Sequence, residues 1–222
     1  MPLPGGPPPQ CSDLDVHGEH VQSSRLQLGI GLGSLSSTLR FDGSEEVDVE
    51  MNTISLAGSW RLNESWSIRV GLGLITDGTL QPDNQAAYTI KPGGLMAVGI
   101  EHLYHLGEGY IPTLDYSVFL SAASTKIESP TTQNETSYFS SDFRVGGRAS
   151  WNINGQVFPY FSGRVFGGPV SWELDGVEVI GSDIHHYQFA LGTALQFGSL
   201  GTFAEWAGVG EKAMSLGFSY VW

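Results

Sequence analysis

Eight charged residues stand inside segments that otherwise alternate apolar with small residues: Arg61, Arg69, Glu101, Asp115, Arg144, Arg148, Arg164 and Glu205. All sit on the parity opposite to the apolar side chains. Successive side chains of a strand point to opposite faces, so these charges share one face. The arginine fork reaches two carboxylates at once, and the chemistry suited to this set is ion pairing rather than bond making. Counted from the nearest tight turns, Glu101 and Asp115 face each other on neighbouring strands. Arg148 and Glu205 stand at about that level, Arg164 about one pleat higher and Arg69 slightly lower. Two adjacent carboxylates do not both ionise cheaply without cations near them, so a belt of salt bridges is expected. Such a belt either fills a lumen and holds its register or gates a narrow pore.

Other groups with chemical potential are sparse. There is no Gly-x-Ser-x-Gly, no His-Glu-x-x-His and no P-loop. His102 lies on the apolar parity with no Ser and acid beside it, as a snorkelling interfacial side chain would. Cys11, His17, Glu19 and His20 could gather round a metal ion, but a Pro- and Ser-rich tail is a poor cage. No metal and no cofactor are expected. The one cysteine makes no internal disulfide. A net charge of −13 argues against nucleic acid as a partner.

The elements that must carry the belt are strands. The last residues, Met214, Leu216, Phe218, Tyr220 and Trp222, alternate with Ser215, Gly217 and Ser219. The same period of two recurs along most of the 222 residues. About ten strands are expected, at roughly 25–38, 47–62, 66–76, 95–106, 111–123, 138–153, 157–172, 184–197, 200–207 and 212–222. Their apolar stripes, such as Leu26, Leu28, Ile30 and Leu32, or Ile68, Val70, Leu72 and Leu74, contain no charge. Inward glycines (Gly29, Gly71, Gly99, Gly192) leave room for a thin aqueous path.

Turns and loops alternate in length. Asn63-Glu64-Ser65, Gly107-Glu108-Gly109, Asn154-Gly155-Gln156 and Gly198-Ser199 are tight. Asn154-Gly155 suits a type I′ hairpin. Segments 39–46, 77–94, 124–137 and 173–183 read as longer, acidic loops, with a short connection at 207–211. Trp60, Trp66, Tyr104, Tyr110, Trp151, Phe158, Phe197, Tyr220 and Trp222 cluster at the tight-turn ends, as rings do at a membrane interface. Residues 1–24 read as a tail, and 25–222 as a transmembrane, all-β, antiparallel up-and-down barrel. The opening Met1-Pro2-Leu3-Pro4 has no signal-peptide character, which implies a mature form.

This pattern resembles the small outer-membrane β-barrels of Gram-negative bacteria, the broad OmpA-like group. Phe218, Tyr220 and Trp222 resemble the C-terminal aromatic signal by which the outer-membrane assembly machinery recognises its clients. The resemblance implies an outer-membrane location, contact with lipid and lipopolysaccharide, protein partners at the loops or tail, and a non-enzymatic anchor, assembly component or narrow passive channel. Two alternatives stand beside it. One is a membrane-embedded hydrolase, either lipid-modifying or omptin-like: Asp183-Ile184-His185 resembles the Asp-x-His pair of omptin proteases. Their partner aspartate pair is missing here, since Asp77 and Asp83 are too far apart. The other is a soluble barrel holding an apolar ligand.

Overall fold

The computed structural model describes residues 26–41, 45–83, 85–107, 110–174 and 177–222. The tail residues Cys11, His17, Glu19 and His20 lie outside that set. Among the described residues there are thirteen strands: β1 (Leu26–Phe41), β2 (Glu45–Arg61), β3 (Trp66–Pro82), β4 (Tyr88–Ile90), β5 (Gly93–His105), β6 (Thr113–Glu128), β7 (Glu135–Ser150), β8 (Val157–Gly167), β9 (Val170–Leu174), β10 (Val177–Asp183), β11 (Tyr187–Phe197), β12 (Leu200–Gly210) and β13 (Lys212–Val221). They reduce to ten staves, because β4–β5, β8–β9 and β10–β11 are three staves with breaks. Two of the breaks hold Pro92 and Pro169. Proline has no N–H, so a strand with neighbours on both sides stops there. All pairings are antiparallel, and β13 against β1, from Gln27↔Val221 to Ser36↔Lys212, closes the ring.

The staves are longer than a membrane needs. A tilted strand crosses a bilayer in ~9–11 residues, whereas β2 and β3 have 17 each. The segments 39–46, 77–94, 124–137 and 173–183, expected as long loops, are mostly strand. Beyond the lipid-facing region the ring also loses two members. The β12–β13 hairpin ends at Gly210–Lys212, and β1 then pairs directly with β10, from Leu39↔Asp183 to Phe41↔Gly181. Above the hairpin the closed order is β1-β2-β3-β4-β6-β7-β9-β10, an eight-stranded ring.

On β1, β2 and β6 the pleat keeps its alternation at that step while apolar and polar faces exchange; on β3 a bulge at Thr76 shifts the parity, so that Ile75 and Leu80 both face in. On β1, Leu26, Leu28, Ile30 and Leu32 point outward and are exposed, but Leu39 and Phe41 point inward and are buried. On β2, Ile54 and Leu56 face out, whereas Val47, Val49 and Met51 face in. On β6, Leu114, Tyr116 and Leu120 face out, and Ala123 and Ile127 face in. The lower ring therefore has a greasy outside and a polar inside, as a membrane barrel must. The upper ring has Arg40, Asp48, Glu50 and Lys126 outside and a packed core of Met51, Ile75, Leu80, Ile90, Ile127 and Trp172 inside. One set of strands thus builds a lipid-solvated barrel and, continuous with it, a water-solvated one.

Some inward space expected at glycines is filled. A β-carbon at Gly192 would collide with the Tyr160 ring, and one at Gly99 with Phe119. Asn154 and Gly155 both have positive φ, 56° and 69°, the type I′ requirement.

Candidate functional site: a two-tier lumen charge network

The inward face of the lower ring gathers the charges. Arg148, on β7, donates from Nη2 to Glu101 Oε1 at 2.6 Å and from Nε to Asp115 Oδ2 at 3.0 Å. Arg69, on β3, lies 3.1 Å from the other Glu101 oxygen. Arg164 Nη2 reaches Glu205 at 2.8 Å, so Glu205 takes Arg164 as its direct partner rather than Arg148, its expected level-mate. Arg61 ends β2 at the tight-turn side, opposite Ser67 of β3, which in turn pairs with Glu101.

A second tier sits one step nearer the apolar core. Arg144 donates to Asp142 at 3.2 Å and to Glu211 at 3.1 Å. Its guanidinium carbon also lies 4.1 Å from the centre of the Phe166 ring, within cation–π reach. Gln188 joins the tiers. Its Oε1 accepts from Arg164 at 2.7 Å and from Arg144 at 3.4 Å, while its Nε2 donates to Glu211 Oε1 at 3.0 Å. The amide has no other orientation that satisfies all three partners. Glu211 is at the β12–β13 hairpin tip with its side chain turned inward and 3% exposed.

Sequence reasoning missed Asp142, Gln188 and Glu211. Asp142 falls inside the strand expected at 138–153 and shares the inward parity of Arg144 and Arg148. Gln188 carries no charge, and Glu211 sits in a connection, where parity gives no direction. The network holds five carboxylates (Glu101, Asp115, Asp142, Glu205, Glu211) against four guanidiniums (Arg69, Arg144, Arg148, Arg164), all largely shielded from solvent. Ion pairs in this setting are costly to bury but far costlier to break, because a lone partner keeps its charge without compensation.

Two cavities flank the network. One of about 120 Å³ lies against the small-residue wall of Gly29, Ala57, Gly71 and Ala97 and is faced by Arg69, Arg148 and Arg164. The other, about 50 Å³, lies beneath Leu39 and Met51 of the core and is faced by Ser140, Asp183 and Glu211. Asp142 and Arg144 line both.

On the outer surface Trp60, Tyr104, Tyr110, Phe197, Tyr220 and Trp222 are exposed at the tight-turn end, and Tyr220 packs edge-on against Trp222 at 4.7 Å. Phe218 is exposed on the same face as these two. Trp66 is half-buried, 4.3 Å from His102, which stacks on Tyr116 at 4.8 Å. Trp151 is also half-buried and donates from Nε1 to the Tyr110 carbonyl at 3.2 Å. Phe158 is the exception: it has the inward parity of Tyr160 and is half-buried at the lumen mouth, not on the lipid face.

Asp183, His185 and His186 fall at the β10–β11 break, where strand parity no longer governs direction. Asp183 accepts from the His185 backbone N–H at 2.6 Å through one oxygen and from Ser37 Oγ through the other. His186 is exposed. Among the described residues no three His, Cys, Asp or Glu come together in a way that could hold a metal ion.

No family model matches the chain, and no curated protein sequence matches it. Solved structures do. The translocator domain of the autotransporter NalP from Neisseria meningitidis aligns over 90% of each chain with a TM-score of 0.53 and 13% identity. The outer-membrane protease OmpT from Escherichia coli aligns over 90% of this chain and 98% of its own, with a TM-score of 0.54 and 12% identity. OprG from Pseudomonas aeruginosa aligns over 90% and 97% at a TM-score of 0.45 and 10% identity. Identities this low speak to architecture alone. This chain has the fold of the outer-membrane β-barrel proteins.

Proposed function

We propose that this is a non-enzymatic barrel of the bacterial outer membrane, closed along its axis, which anchors a water-solvated eight-stranded extension on the long-loop side. The supporting observation is the apolar core of that extension. Met51, Ile75, Leu80, Ile90 and Ile127 are each at most 1% exposed and fill the ring from wall to wall. These five side chains offer a hydrated ion no polar group, which makes the axis a barrier rather than a pore. The lumen charge network below serves as a rigid filling that ties β3, β5, β6, β7, β8, β11, β12 and the hairpin tip together. The exposed Phe218, Tyr220 and Trp222 suit recognition by the outer-membrane assembly machinery, and the aromatic end suits contact with lipid and lipopolysaccharide. The polar outer wall of the extension is the surface open to protein partners.

A hydrolytic reading draws on the likeness to OmpT and on the nearness of Asp183 to His185. Its weakness is chemical: both Asp183 oxygens are already occupied, by Ser37 and by a backbone N–H, and none orients an imidazole. The test is potassium flux from vesicles containing the refolded protein, beside a peptide-cleavage assay. Flux at background with no cleavage supports a closed, non-enzymatic barrel. Sustained flux defeats the closed axis. Cleavage that disappears in Asp183→Ala defeats the non-enzymatic part.

A further inference from the structure

The change from ten strands to eight leaves a seam in the wall. β1 parts from β13 at Ser36↔Lys212 and joins β10 only at Leu39↔Asp183. Across this seam run a hydrogen bond from Ile184 N–H to the Thr38 carbonyl at 3.0 Å, the Ser37–Asp183 contact, and a bond from Glu211 N–H to the Tyr187 carbonyl at 3.2 Å. One flanking stave is itself interrupted here, between Asp183 and Tyr187. The upper cavity lies directly behind the seam, since Ser37, Asp183 and Glu211 line it. It also meets the lower cavity at Asp142 and Arg144, and the lower cavity extends along Gly29 and Gln27 toward the tight-turn end.

The upper cavity is polar on the seam side. On the β7 wall of the same cavity Ser140 Oγ is buried with no protein hydrogen-bond partner. A cavity of about 50 Å³ has room for water to satisfy it. Around it stand three carboxylates, Asp142, Asp183 and Glu211, against the single guanidinium of Arg144.

We infer that the two cavities are halves of a side conduit for small hydrated cations, closed at Arg144, which bypasses the apolar core and leaves the wall at the β12–β13 hairpin tip. Arg144 blocks it twice. Its side chain fills the junction between the cavities, and its charge neutralises the carboxylates that would otherwise draw a cation in. Without it, a carboxylate-lined path continues from the lower lumen to the seam.

The test uses the refolded full chain, with Cys11→Ser as background, in a planar bilayer under a potassium chloride gradient. Arg144→Ala is expected to show cation-selective current steps that the wild type lacks. A bulky maleimide coupled at Lys212→Cys, beside the seam, should abolish those steps. The same reagent at Glu135→Cys, on the far end of the extension, should leave them unchanged. Heat-modifiable gel mobility establishes that each variant is folded; if Arg144→Ala does not fold, Arg144→Ala/Glu211→Gln takes its place, removing the side chain together with one carboxylate that it compensates. A folded but silent Arg144 variant overturns the inference. So does a current that is blocked from Glu135→Cys and indifferent to Lys212→Cys, which would place the route along the axis.

Discussion

Removing Arg148 should be among the most damaging single changes in the lumen. Arg148 bonds two carboxylates at once, Glu101 at 2.6 Å and Asp115 at 3.0 Å. Glu101 is only 4% exposed, so water cannot replace the lost partner. Arg69 still holds one Glu101 oxygen, but Asp115 is left with no cation within ion-pair distance among the bridges described. Breaking a buried pair from one side costs about 3–5 kcal/mol, and Arg148→Ala should fall within that range. Asp115→Asn and Glu101→Gln remove charge from the other side and should repair part of the loss. The triple variant Arg148→Met, Asp115→Asn, Glu101→Gln should therefore be more stable than Arg148→Ala alone. The assay is urea unfolding in lipid vesicles, followed by tryptophan fluorescence and gel mobility, with the coupling energy taken from the mutant cycle. A loss under about 1 kcal/mol for Arg148→Ala, or additive effects across the cycle, would refute the view that these groups act as one buried unit.

Other expectations follow from the exchange of faces. Leu56→Lys, on the lipid face, should cost about 2–4 kcal/mol, whereas Asn52→Lys, four residues on and on the same outward side, should stay within about 0.5 kcal/mol; equal effects would misplace the membrane boundary. Ile127 is fully buried in the extension, and Ile127→Ala should cost about 2–5 kcal/mol by leaving a cavity, measured by the same unfolding assay. Lys126 donates to Glu135 at 2.8 Å, and this bond with its charge holds the Glu135 carboxyl below the usual carboxylate range. The pair's contribution is thus present above the unfolded carboxylate value and fades as pH falls through the lowered one. Lys126→Ala should return Glu135 to the ordinary range in an NMR titration, and an unmoved titration would show the pair is not formed.

Much of the barrel is legible in the residues because a membrane barrel repeats one simple rule. Leu26, Leu28, Ile30 and Leu32, or Met214 through Trp222, state which face is lipid without help from any partner strand. The extension is harder to see. Val47-Asp48-Val49-Glu50-Met51, inside the strand expected at 47–62, alternates as cleanly as any membrane segment, but with its apolar residues on the other parity. The signal is the change of phase between Ile54 and Met51, repeated between Leu32 and Leu35 and between Leu120 and Ala123. A run of acids reads as loop only when its alternation is ignored. Pro169 breaks the stave expected to run unbroken over 157–172. The pairing of Arg164 with Glu205, and the inward turn of Glu211, depend on register and on where a hairpin ends. Those are properties of several strands together, and no single segment encodes them.

The apolar core closes the axis of the barrel, and the lower belt arginines Arg148 and Arg164 do not. Single-channel recording in planar bilayers tests it with three proteins: the wild type, Arg148→Ala/Arg164→Ala, and Met51→Ser/Ile127→Ser. Silence is expected from the first two and conductance from the third, since of these three only the last opens a polar route through the extension. Conductance from the belt variant with the core intact, or silence from a folded core variant, would contradict it.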